Sequence, residues 1–122
     1  MNPLVHEWIE KAEGDYATAG RELRARKRPN FDAACFHAQQ CAEKYLKAFL
    51  QKSGIPFGRT HNLVALLDQA VVEAPGFELL RPDLQRLNLY AVQFRYPGES
   101  ADKEIARQAL ALCRGVRAAV RG

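Results

Sequence analysis

Between Phe31 and Gln51 the chain meets neither glycine nor proline, and its apolar residues recur at the three- and four-residue intervals of a helix. At roughly 100° per residue, Ala34, Cys35, Ala38, Cys41, Ala42, Tyr45, Leu46, Phe49 and Leu50 fill about half of the circumference. A segment this long and this periodic is a helix with one apolar face, and the remaining chain must supply the surface that covers it. Asn30 or Asp32 can start it, and Gly54 is a natural C-terminal stop.

The flanking segments carry the same period. Pro3 suits a first helical turn, and Val5, Trp8, Ile9, Ala12, Tyr16, Ala19 and Leu23 follow at helical spacing until a basic run and Pro29. Pro56 and Gly58 mark a loop. Thr60 or Asn62 can then cap a shorter helix bearing Leu63, Leu66, Leu67, Ala70 and Val71, which Pro75-Gly76 ends. Pro82 opens a fourth helix with Leu84, Leu87, Tyr90, Ala91 and Phe94 inward, until Pro97-Gly98. A fifth begins near Ser100, with Glu104 as a first-turn carboxylate, and runs through Ile105, Ala109, Leu112, Cys113, Val116 and Val120. No stretch alternates with period two, so no strands are expected. The expected fold is all-α: an up-and-down helical bundle of about five helices, with two long antiparallel N-terminal helices, in a single domain over residues 1–122.

With 122 residues the chain is long enough for one core. It lacks any apolar run near the roughly 20 residues that span a bilayer. Glu7, Glu10, Glu13 and Asp15 make the start unlike a signal peptide, so the expected location is cytoplasmic, away from membranes. The three cysteines, Cys35, Cys41 and Cys113, fall among apolar helical residues without CxxC or Cys/His ligand spacing. They read as reduced core thiols, and no metal or cofactor is expected. The net charge of +4 is uneven: Arg21, Arg24, Arg26, Lys27 and Arg28 crowd the end of the first helix, and Arg107, Arg114, Arg117 and Arg121 lie along the last. Such clusters attract phosphates, although basic residues near helix C-termini also simply complement the macrodipole.

Opposite the apolar arc of the central helix stand His37, Gln40, Lys44, Lys47 and Gln51, with Glu43 beside them. An imidazole, an amide and two lysines in line can read a base edge and meet phosphates. The plainer alternative is a solvated polar face, on which Glu43 and Lys47 form a surface pair worth tenths of a kcal/mol. Two further features accompany the stripe. His61 lies beside Arg59 at the start of the third helix, whose backbone donors suit anions. Arg95 and Tyr96 are held by Pro97 at the end of the fourth.

The segment Cys35-Phe36-His37-Ala38-Gln39-Gln40-Cys41-Ala42-Glu43-Lys44-Tyr45-Leu46-Lys47-Ala48, with His61-Asn62-Leu63, Arg95-Tyr96-Pro97 and, in the first helix, Trp8, Ala12 and Asp15, resembles the HEPN domain family. The resemblance spans almost the whole chain. It implies an all-α bundle, commonly a homodimer, that interacts with nucleotide or RNA. It also implies a separate minimal nucleotidyltransferase as partner, in a prokaryotic toxin–antitoxin or defence module. The nucleotide-binding residues implied are His37, Gln40, Lys44, Lys47, His61, Arg95 and Tyr96.

Catalytic members of that family carry an arginine, four to six intervening residues and a histidine. Here the histidines are His6, His37 and His61, and none has an arginine at that distance before it. Three readings follow. The first is a nucleotide- or nucleic-acid-binding protein without the ribonuclease motif. The second is a metal-independent ribonuclease toxin with His37, His61 and Arg95 as catalytic candidates, because cleavage needs a base beside the attacking 2′-hydroxyl. The third is a structural module for dimerisation or partner binding.

Overall fold

The computed structural model describes residues 2–122 as five α-helices: α1 (Pro3–Arg24), α2 (Phe31–Lys52), α3 (Leu63–Glu73), α4 (Arg81–Gln93) and α5 (Lys103–Arg121). No strand occurs among the described residues. Four of the helices start on a side-chain cap that satisfies an otherwise unpaired backbone donor. Asn2 accepts from Leu4 N–H, Asn30 from Ala33, Asn62 from Val64 and Ala65, and Asp102 from Ile105. Asn30, not Asp32, is therefore the cap of α2. Asp32 in its first turn reaches across to accept the N–H of Ala101 at 2.7 Å, which holds the residues before α5 extended and delays that helix to Lys103.

Gly54 closes α2 with φ of 69°. The N–H of Ile55 donates to Leu50 O and that of Gly54 to Gln51 O, the paired closing bonds that need a left-handed residue between them. Gly54→Ala meets open space, so its cost is conformational alone: about 1 kcal/mol, read as a lower urea midpoint with an unchanged m-value.

Pro75-Gly76 ends α3, as its sequence suggests, but the chain does not lose its helical turn there. It forms a 3-10 helix over Pro75–Leu80, because Phe77 turns inward to pack on Phe49 with ring centroids 4.8 Å apart.

Helix α2 is the axis of the molecule. Contacts pair Asp15 with His37 and Lys44, Glu13 with Tyr45, and Trp8 with Lys47, so α1 descends as α2 ascends and the two are antiparallel. α5 runs alongside α2, from Ala101 beside Asp32 to Arg121 beside Tyr45. α3 and α4 cover the side that remains. With neighbours on nearly every side, α2 buries Ala38, Cys41, Ala42, Tyr45, Leu46 and Leu50 as its period demands, and also Gln39, Glu43 and Lys47. The expectation of a solvated arc, with Glu43 and Lys47 as a surface pair, fails here: their side chains are only 3% and 6% exposed.

Part of the basic stripe on α5 is also spoken for. Arg117 grips Glu13 through two hydrogen bonds of 2.7 and 2.8 Å and lies over the Tyr16 ring, while Arg121 donates to the Tyr45 hydroxyl. The three cysteines are buried free thiols. Burial pushes Cys35 up to about 12, and contact with the Cys113 thiol, together with burial, raises Cys41 as well, so neither presents a thiolate at neutral pH. Among the described residues no helix is long and apolar enough to cross a membrane.

Candidate functional site

Where α3 begins, the loop from Gly54 brings the chain back against the middle of α2. Gln39 donates from Nε2 to the carbonyl of His61 at 2.8 Å and so fixes the entry to α3. Asn62 then caps α3, and Asn88 on α4 locks that cap twice: its Nδ2 donates to Asn62 Oδ1 at 2.8 Å, and its Oδ1 accepts the N–H of Leu63 at 3.0 Å. The result is a cleft of about 330 Å³ between α2, the head of α3 and α4, lined by Gln39, Gln40, His61, Asn62, Asn88, Ala91, Val92 and Arg95.

Its floor is a connected polar network. Gln40 Nε2 donates to Gln39 Oε1 at 2.8 Å and lies 3.3 Å from Glu43 Oε1. His61 Nδ1 lies 3.0 Å from that same oxygen, while Lys47 Nζ holds the other Glu43 oxygen at 3.1 Å. No buried side-chain polar atom among the described residues lacks a partner. In the tautomer whose Nδ1–H donates to Glu43, Nε2 is the acceptor nitrogen, on a side chain that is 77% exposed. A carboxylate that orients an imidazole in this way fixes its tautomer and direction. Arg95 stands at the rim with its guanidinium 5.8 Å from the Phe36 ring, an exposed cation–π contact worth about 0.5–1 kcal/mol that leaves its donors free.

Of the residues singled out in the sequence, Gln40, His61 and Arg95 meet in this cleft. The others lie elsewhere. His37 and Lys44 both face Asp15 on α1, the first through Nδ1 at 2.8 Å and the second through Nζ. Lys47 is buried under the cleft between Glu43 and the Trp8 ring, 5.4 Å from its centroid. Tyr96 is exposed beyond Arg95 and does not line the cavity.

Gln39 and Asn88 were not singled out, although both left a trace in the sequence. Each is an amide on an otherwise inward arc, Gln39 beside Ala38 and Asn88 between Leu84, Leu87 and Ala91. Buried amides are kept where backbone needs a partner.

A second concavity of about 620 Å³, between the start of α1 and the loop after α2, takes in Gln51 from the end of the stripe and none of the other stripe residues. Leu4, Trp8, Ile55, Pro56 and Phe57 line it, with Glu7 and Lys11 among its few charged groups. Among the described residues no group of three or more His, Cys, Asp or Glu side chains is arranged to hold a metal ion.

A family model described as the HEPN domain matches residues 5–122. A crystal structure of an archaeal HEPN homologue superposes with a TM-score of 0.71 at 25% sequence identity, covering 97% of this chain and 95% of that one. No curated protein matches the chain.

Proposed function

Since this chain belongs to the HEPN domain family, we propose that it binds a nucleotide, or the end of a nucleic acid, in the cleft between α2, α3 and α4. The observation that carries this reading is the convergence of Gln40, His61 and Arg95 on one polar cavity. The cleft offers what a nucleotide needs: amides for a base edge, an imidazole, and an arginine with free donors for phosphate. Its walls are fixed before any ligand arrives, because Gln39 and Asn88 tie α3 to α2 and α4. Little ordering cost is left to binding. The partner we assign is a separate minimal nucleotidyltransferase, in a toxin–antitoxin or defence module. The exposed Leu89 on α4, next to Val92 at the edge of the cleft, supports the chain acting as a homodimer.

Titration of the purified protein with ATP and other nucleotides tests the site. Arg95→Ala should weaken binding about tenfold, in line with a charge-assisted contact of roughly 1.5 kcal/mol. Lys44→Ala should change it less than threefold, because Lys44 is held by Asp15 outside the cleft. Equal losses in both variants, or no binding by the wild type, would remove the cleft from consideration.

One observation favours catalysis as a second reading: the carboxylate-oriented His61 beside Arg95. In metal-independent cleavage of RNA, Nε2 takes the 2′-hydroxyl proton while Arg95 stabilises phosphate charge. Single-turnover cleavage of transfer RNA should then fall about 100-fold or more in His61→Ala. Cleavage that survives His61→Ala excludes this role.

A further inference from the structure

The cleft does not end at Arg95. A shallow concavity lined by Phe36, Tyr90 and Phe94 shares Ala91 and Arg95 with it. That concavity in turn shares Asn30 and Asp32 with one around Arg28 and Ser100. The last shares Pro29 and Phe31 with a cleft of about 600 Å³ between the end of α1 and the start of α5, walled by Arg24, Arg26, Lys103 and Arg107. We infer that these concavities form one continuous track for the sugar–phosphate backbone of single-stranded nucleic acid. It starts at the nucleotide cleft, rounds the N-terminal end of α2 and finishes in the four-cation cleft.

The charges are placed for a polyanion. No carboxylate lines the terminal cleft. Arg107 pairs with exposed Glu104, whereas Arg24, Arg26, Arg28 and Lys103 have no carboxylate within ion-pair distance among the described residues. The one acid in the middle of the track, Asp32, is committed to the N–H of Ala101. Two of the cations occupy positions that local stability disfavours. Arg28 sits at φ of 50°, a left-handed conformation suited to glycine. Lys103 opens α5, where a positive charge opposes the helix dipole. Broken local rules of this kind cluster at functional sites.

Aromatic faces punctuate the same path: Phe36 is exposed, and Tyr90 and Phe31 are half-buried. Cations alternating with stacking faces are the chemistry of single-strand binding, because only unstacked bases can lie on such rings. From Phe31 to Gln40, α2 alone rises about 14 Å, so a mononucleotide cannot fill the track.

This inference extends the nucleotide reading of the cleft, and its test separates the two. The probes are uridine oligomers from one to about twelve nucleotides, the span of typical single-domain sites. The variant is Arg26→Ala/Lys103→Ala, two exposed residues outside the nucleotide cleft. Wild-type affinity should rise at least tenfold with length. The variant should lose about tenfold for the longest oligomer, its log–log salt slope falling in magnitude by about 1.4, and bind uridine monophosphate as the wild type does. Flat length dependence, or an unchanged salt slope in the variant, overturns the track while monophosphate binding upholds the cleft. Absence of both kinds of binding overturns both. Equal affinity for a duplex of the same length overturns the single-strand assignment. Loss of binding only to phosphatidylserine vesicles reassigns the face to lipid headgroups.

Discussion

Replacing Lys47 with methionine should cost this protein about 3 kcal/mol, the penalty for leaving the Glu43 carboxylate buried without its cation. For a domain of this size, that lowers the melting temperature by roughly 10 °C. Methionine, one atom shorter, keeps most of the side chain's apolar length, so the loss chiefly reports the charge, its cation–π contact with Trp8 included. The Glu43 oxygens still have Gln40 and His61 nearby, which limits the damage to the lower end of the range for broken buried pairs.

The double variant Lys47→Met/Glu43→Gln should recover most of the loss, because a neutral amide there needs no counter-charge. Urea unfolding of the four proteins gives the coupling energy directly. A surface pair at the same helical spacing would be worth only a few tenths of a kcal/mol and would fade with salt. A loss below 1 kcal/mol in Lys47→Met would therefore mean that water reaches the pair. Because Glu43 also orients His61, Glu43→Gln alone should disturb the cleft while leaving the helices in place.

The second large effect is on acid stability. Hydrogen bonds from Arg117 hold the Glu13 carboxyl down, aided by the Tyr45 hydroxyl and by Arg121 against the opposing effect of burial, so that it titrates at about 2 in place of 4.5. A group whose folded value is depressed stabilises the fold above its unfolded value and loses that contribution as pH falls through the folded one. The window here runs from about 4.5 down to about 2. Unscreened, the shift corresponds to roughly 3 kcal/mol; with Glu13 one-third exposed, about 1–2 kcal/mol is the realistic share.

Glu13→Gln should accordingly lose about 1–2 kcal/mol at pH 7 and converge with the wild type near pH 2, a comparison made by thermal unfolding across that range. Parallel acid profiles for the two proteins would mean that other carboxylates carry the acid transition. The same cluster gives Arg117 and Arg121 a structural role, joining α1, α2 and α5.

The helices themselves were legible in the chain because their causes are local. Asn30 and Asn62 cap, Gly54 stops, prolines open first turns, and the apolar period of α2 names the residues that become the core. The resemblance carried by Trp8, Ala12, Asp15 and the α2 segment pointed to the family that the whole-chain match shows.

Burial on the polar side of α2 was not legible. Periodicity ranks the faces of one helix but cannot count its neighbours, and α2 has helices around almost its entire girth. Tertiary packing therefore turned Lys47 and Glu43 from a wet surface pair into a buried one, and it sent His37 and Lys44 to Asp15. It also drew Gln40, His61 and Arg95, far apart in the chain, around one cleft. Residues more than twenty positions apart meet only through the path of the whole backbone, here through the loop that returns α3 to the middle of α2.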